Sequence, residues 1–264
     1  MKVEAYGISD IGMKRVKNED SFLINKDAGL FVVADGMGGH AGGEFASRLA
    51  VETIDAILKD VSTPPPDVRS ASDYYIEQIT SAIKEAGKRI YEEAERNPML
   101  KGMGTTAVLM FARDERIYIA HVGDSRAYLV RDGRIVRLTK DHSLVGEQIR
   151  AGLLPESAER NHKFRNIITR SVGFQEDVEI DIRVDLPVEG DRYLLCTDGL
   201  TTLVDDDEIL DVVAGNSVEE AVQLLIDLAN MRGGDDNITV VLAEVKDVKG
   251  DATLDPSEES TIGM

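Results

Sequence analysis

Tryptophan is absent from the 264-residue sequence, and cysteine occurs once, at Cys196. With aromatics at only 5%, core packing falls to Val, Ile, Leu and Ala. A single cysteine cannot form an internal disulfide, and the segment MKVEAYGISDIG has no apolar stretch of the kind a secretory signal needs. Both points lead to the expectation of a reducing, cytoplasmic setting. No window approaches the roughly 18 consecutive apolar residues of a membrane span. Basic residues are also scarce: 30 Lys and Arg stand against 49 Asp and Glu, a formal net charge of −19. That balance opposes nucleic acid and anionic membranes as partners, since both are usually met by a basic patch. It is compatible with a carboxylate cluster that takes up divalent cations, although most of these acidic residues must be solvated surface.

What is present is a globular composition, 42% hydrophobic and 30% charged. The first 36 residues read as strand, turn, strand: VEAYGIS, then SFLIN and LFVVADG around the turn Asp27-Ala28-Gly29. A Gly-rich loop, GMGGHAGGE, launches a helix over 41–59, and a linker with Pro64-Pro65-Pro66 separates it from a second over 72–95. That helix should stop before Asn97-Pro98. Strands are expected at TTAVLMFAR, RIYIAHV, SRAYLVR and RIVRLT, with a hairpin turn at Asp132-Gly133. Residues 141–166 read as an irregular excursion with a short helix over 144–152. Strands resume at IITRSV, VEIDIRVDL and RYLLCTDG, followed by helices over 206–214 and 217–231 and a last strand, NITVVLAEV. Hairpins and paired helices in this order predict an α+β domain with sheets packed face to face and helices outside. The domain is placed at 1–245. The acidic remainder, 246–264, reads as a flexible tail whose Thr253, Ser257, Ser260 and Thr261 are solvated.

Five short motifs carry the candidate chemistry: Arg15-x-x-Asn18-Glu19-Asp20, Asp35-Gly36-Met37-Gly38-Gly39-His40, Gly123-Asp124-Ser125-Arg126, Thr197-Asp198-Gly199 and Gly233-Gly234-Asp235-Asp236-Asn237. Asp35 and Asp198 each follow an apolar strand and precede Gly, so a rigid sheet holds the carboxylate while backbone can approach a ligand closely. Carboxylates gathered in one place repel one another unless cations neutralise them. Oxygen ligands suit Mg²⁺ or Mn²⁺ better than Zn²⁺ or copper. Taken singly, each motif has a bland reading, because Asp-Gly is a favoured turn dipeptide.

In this order the motifs resemble the metal-dependent protein phosphatases (type 2C serine/threonine phosphatases), the bacterial stand-alone branch in particular. The resemblance covers about residues 1–245. It implies a four-layer α-β-β-α sandwich, a central antiparallel β-sandwich flanked by helix pairs, with a flap subdomain near 141–166. It further implies two Mn²⁺ or Mg²⁺ ions and a third, weaker one. By resemblance Asp35 bridges two metals and the Gly36 carbonyl contacts one of them. Glu19 serves that metal, Asp20 holds metal-bound water, and Asp198 and Asp236 serve the other metal. Asp124 holds the third, with Asp198 shared, and Arg15 grips the substrate phosphate. The implied reaction is hydrolysis of phosphoserine or phosphothreonine by metal-activated water, with phosphorylated proteins, substrates of a bacterial Ser/Thr kinase, as partners and a monomer as the working unit. Met37 stands where many eukaryotic members carry His, so the general acid is unassigned; His40 reads as structural. A scaffold role without catalysis and a narrow switch or small-phosphoester substrate are the competing readings. Cys196 reads as core, Ser125 as non-nucleophilic, and His121, His142 and His162 as surface or hydrogen-bonded residues.

Overall fold

The computed structural model describes all residues except 40, 67, 69, 156, 157, 159–161 and 249–264. Among them the chain forms eleven strands and six α-helices. One sheet has the order β1 (Lys2–Asp10), β11 (Ile238–Asp247), β10 (Arg192–Cys196), β7 (Arg126–Arg131), β8 (Arg134–Arg137). The other runs β2 (Asp20–Asn25), β3 (Leu30–Met37), β5 (Ala107–Arg113), β6 (Arg116–Val122), β9 (Asp181–Asp185), with β4 (Gly104–Thr105) pairing β3 at its far end. Every ladder between these strands is antiparallel.

The period-2 pleat explains why β3 is apolar along most of its length. Leu30, Val32 and Ala34 point to a core shared with α1 (Gly42–Leu58) and α2 (Ala71–Arg96), where Ala46, Ile54, Ile79 and Ile83 are fully buried. Phe31 and Val33 point the other way, to a core between the sheets with Met110, Ile119, Tyr193, Leu195 and Val241. A third core joins Tyr128, Leu194 and Val240 to Ile209 of α5 (Asp206–Gly215) and Val222 and Leu225 of α6 (Val218–Met231). Each such aliphatic side chain stabilises the fold by about 1.5–3 kcal/mol, so apolar burial on both faces holds the sheets rigid under the motifs at their ends.

Local signals set the helix limits. Ser70 caps α2 by accepting the Asp73 N–H (3.2 Å), and Asn97 ends the helix ahead of Pro98. Ser217 and Glu220 form a capping box at the start of α6. The last strand continues to Asp247, two residues past the Val245 boundary read from sequence.

Three expectations are corrected. IITRSV is not a strand: Ile168 bridges Ser143 and Val172 bridges Thr105 and Gln175, each singly. Its backbone groups are divided among separate partners, such as His142 O for Thr169 N–H and Thr105 for Val172, instead of one continuous edge. VEIDIRVDL contributes only Asp181–Asp185, the stretch that has a partner on β6. RYLLCTDG stops as a strand at Cys196, and Asp198 opens the short helix α4 (Asp198–Thr201). The excursion helix is α3 (Leu144–Arg150).

Candidate metal centre

The five motifs converge at one end of the two sheets. Asp20 opens β2 and is the register partner of Asp35 on β3. Directly opposed residues in an antiparallel pair share a face, so these two carboxylates stand side by side. Asp198 follows β10 of the other sheet, at the start of α4, and its carboxyl acts on the Asp35 side chain across the site. Asp124 lies in the turn between β6 and β7, and Asp236 precedes β11. Asp35 lies inside its strand, not at its mouth, because β4 extends the pairing through Gly36 and Met37.

Electrostatics mark the cluster. Burial, then repulsion from Asp20, Asp198, Asp124 and Asp236, pushes the Asp35 carboxyl well above its usual range. Burial and the charge of Asp198 do the same to Asp124. Asp20 is pushed up to about 7, by burial first; hydrogen bonds from Thr239 and Thr197 partly offset this. Asp198 is pushed up to about 6 by burial and by Asp236. Glu19 is raised too, by burial, against the pull of Arg15 and Lys17.

Hydrogen bonding leaves specific oxygens open. Asp20 Oδ2 accepts from Thr239 Oγ1 (2.7 Å) and Thr197 Oγ1 (3.0 Å), whereas the buried Asp20 Oδ1 has no partner among the described residues. Asp198 Oδ1 is likewise buried and unpartnered. A buried carboxylate oxygen without a partner is costly, and several within one repelling cluster fit hard divalent cations, which favour oxygen donors. The residues present therefore fit Mn²⁺ or Mg²⁺.

Backbone contacts fix the donors. The Asp35 N–H donates to Thr106 Oγ1 (2.9 Å), and that hydroxyl pairs with Ser125 Oγ (2.7 Å), linking β3 to the Asp124 turn. The Gly36 N–H donates to Glu19 O (3.1 Å). The start of α1 packs on the same point: a Cβ on Gly43 would lie 2.7 Å from both Glu19 Oε1 and Gly36 O. A Cβ on Gly199 would lie 1.9 Å from Asn237 O, so the Asp-Gly step lets Asp198 approach the Asp236 loop. Arg15 is half exposed at the rim and donates from Nη2 to Asp236 Oδ2 (2.7 Å).

All eight residues singled out from sequence thus meet at this site: Arg15, Glu19, Asp20, Asp35, Gly36, Asp124, Asp198 and Asp236. His40 lies outside the described residues. Sequence reasoning missed the supporting polar groups. Thr106, Thr197 and Thr239 are fully buried. Asn237 accepts the Glu19 N–H (2.8 Å) and donates to Ile11 O and Lys17 O (both 2.9 Å), clamping the Arg15 loop. Its place in the fifth motif, beside Asp236, was the available signal. Cys196 is core, its thiol pushed up by burial. His121 and His142 are buried and hydrogen-bonded, and with Asp181 they offer ligand-type atoms all within 4.8 Å of one another.

Comparison with known proteins places this arrangement. The family model for protein phosphatase 2C matches residues 14–223. A putative protein phosphatase 2C-type of Streptococcus pyogenes is 40% identical over 247 residues, 91% of this chain and 98% of that protein. The crystal structure of the Mycobacterium tuberculosis serine/threonine phosphatase PstP/Ppp superposes with a TM-score of 0.84 at 34% identity, covering 94% of this chain and 100% of that one. The catalytic domain of PstP in complex with two manganese ions gives 0.80 at 36%, covering 93% and 99%.

Proposed function

This chain belongs to the protein phosphatase 2C family, and on that premise we propose how its residues divide the work of a metal-dependent serine/threonine phosphatase. Asp35 would be shared by the core pair of Mn²⁺ or Mg²⁺ ions, one of which the Gly36 carbonyl and Glu19 would help hold and the other Asp198 and Asp236. Asp20 orders water beside Asp35, and Asp124 serves a third, weaker ion with Asp198. The observation that carries this assignment is the pair of buried, unpartnered oxygens, Asp20 Oδ1 and Asp198 Oδ1, inside a cluster that repels itself. When bound, the ions supply Lewis acidity and a water of lowered pKa.

The chain's own residues do the rest. Arg15 stands at the rim, where its planar fork can take two phosphate oxygens and orient the ester. Its present partner, Asp236, belongs to the same cluster, so a phosphate held by Arg15 would stand beside the carboxylates that would hold the ions. Asn237 holds the Arg15 loop to the strand that carries Asp236, so phosphate grip and metal donors share one frame. Among the described residues neither Ser125 nor Cys196 is free to act as a nucleophile: Ser125 is engaged with Thr106, and Cys196 is sealed in the core.

The substrates are phosphorylated proteins, and we read the enzyme as opposing a bacterial Ser/Thr kinase, as a cytoplasmic monomer without nucleic-acid or membrane partners. No described helix is long and apolar enough to cross a membrane. We further read the packing as the family's four-layer sandwich, in a domain spanning 1–245, with the flap at 141–166 and the tail from 246. The test is hydrolysis of a phosphothreonine peptide with Mn²⁺, with EDTA, and by Asp198→Ala. Turnover lost to both chelation and substitution is expected; turnover that survives either one contradicts the assignment.

A further inference from the structure

The Asp124 turn is held from outside by the first residues of the 141–169 segment. Asp141 takes the Arg126 guanidinium through two oxygens, Nε to Oδ1 at 3.0 Å and Nη2 to Oδ2 at 2.6 Å. Next to it, His142 and Gly123 bond reciprocally: the His142 N–H donates to Gly123 O (2.9 Å), and the Gly123 N–H donates to His142 Nδ1 (3.1 Å). Gly123 has φ +104°, a conformation that favours glycine, and a Cβ there would lie 2.6 Å from Thr106 Cγ2. The residue before Asp124 is thus wedged against Thr106 on one side and tied to His142 on the other.

The Gly123 N–H decides the imidazole's tautomer. An acceptor at Nδ1 leaves the ring proton on Nε2, which lies 3.5 Å from both Asp181 Oδ2 and Arg170 Nη1; a guanidinium N–H only donates, so the ring proton goes to the Asp181 carboxylate. Asp181 is anchored in turn by Arg170, Nη1 to Oδ1 at 3.1 Å. His142 is 1% exposed and stacks on His121, with ring centroids 4.6 Å apart. Its carbonyl accepts the Thr169 N–H (2.8 Å), so the return limb of the segment hangs on the same residue. On spacing alone, His121, His142 and Asp181 could hold a cation. A cation on Nε2 would require the proton on Nδ1, where the Gly123 N–H already points, and Arg170 already supplies positive charge to Asp181.

We propose that His142 is a positioning residue for Asp124: as the Nε2–H tautomer oriented by Asp181, it accepts the Gly123 N–H and fixes the turn that aims Asp124 into the cluster, joining both limbs of the flap segment to the weakest metal position. This rests on the reading of Asp124 as donor to the third ion. Loss of such an outer partner typically lowers metal affinity by 10–100-fold.

The test uses the full chain and Mn²⁺. In His142→Leu, calorimetric titration is expected to show the weakest Mn²⁺ step weakened about tenfold, with the tighter steps unchanged and the Gly123 amide exchanging faster. His142→Asn, whose Oδ1 can take over from Nδ1, should recover most of both readouts. In the unmodified chain, ¹⁵N spectra should show the His142 proton on Nε2. Asp124→Asn separates the two readings. If it leaves the weakest step intact, the metal role of Asp124 falls, and this proposal with it. If it abolishes the step while His142→Leu does not, the positioning role alone is overturned. A proton on Nδ1, or Zn²⁺ seated on His121 and His142 of the metal-depleted chain, would also overturn it.

Discussion

Asp20 and Asp35 are register partners on β2 and β3, so the two carboxylates share one face of one sheet, at one end of the six-pair ladder between the strands.

 The Asp35 N–H is also tied to the Thr106 hydroxyl, which accepts it at 2.9 Å. The repulsion between the pair is therefore built into the fold, and neutralising one member should relieve it. Asp35→Asn is expected to raise the melting temperature of the metal-free protein by a few degrees, corresponding to about 1–2 kcal/mol, while Mn²⁺ no longer stabilises it. Thermal melts with and without Mn²⁺ check this; a variant less stable than the parent without metal would contradict it.

The same cluster sets a pH dependence. Asp20 and Asp198 hold their protons to about 7 and about 6, above the ordinary carboxylate range. The folded metal-free chain therefore binds more protons than the unfolded chain between about pH 4 and 7. This contribution to stability is present at the acid end of that window and is lost as pH rises through it. Saturating Mn²⁺ should reverse the trend, since cations replace those protons. Denaturant titrations across the window, with and without Mn²⁺, measure both slopes.

His121 works in the opposite sense. Burial, and then the neighbouring His142, lower its pKa to about 4. The unfolded chain then binds the extra proton between about pH 6.5 and 4, so the folded state loses stability as pH falls through that interval. The shift corresponds to at most about 3 kcal/mol. His121→Gln, which keeps a polar group near Lys140 O, should lose less stability than the parent over that interval. Equal losses would show that the imidazole is not the titrating group.

Gly199 carries a steric prediction. A Cβ there would sit 1.9 Å from Asn237 O, a backbone atom that cannot rotate away. Gly199→Ala should destabilise the chain by about 1–3 kcal/mol and weaken Mn²⁺ binding, because relief requires moving Asp198 away from the Asp236 loop. Chemical denaturation and calorimetry report the two effects separately.

Arg15 should affect substrate and not metal. Charge-assisted hydrogen bonds contribute about 1.5–3 kcal/mol, so Arg15→Ala is expected to lower kcat/KM for a phosphothreonine peptide by roughly 10–100-fold. Arg15→Lys should recover only part, lacking the planar fork. Unchanged kcat/KM in Arg15→Ala would remove this residue from phosphate binding.

Most of the proposed donors were legible because they sit in short, Gly-marked motifs next to an apolar strand, as Asp35 does after LFVVA; Glu19 and Asp20 sit in a motif without glycine, ahead of SFLIN. The strands themselves were readable from apolar runs such as YLLC, whose rigidity comes from burial on both faces. What sequence concealed was long-range: Thr239 reaching Asp20, or Asn237 clamping the Arg15 loop, pairs residues more than 200 positions apart. IITRSV misled because β-branched residues mark extended backbone, whereas a strand also needs a continuous partner edge. His142 looked ordinary because its role depends on a Gly123 N–H that only folding brings to it.

The central claim, that these aspartates form a metal centre bridged by Asp35, is tested most directly by counting bound Mn²⁺ with native mass spectrometry in the parent chain and in Asp35→Asn. The account predicts that the parent retains two ions, the number in the PstP catalytic-domain structure, and that the variant retains neither. Two ions kept by a folded Asp35→Asn would contradict it.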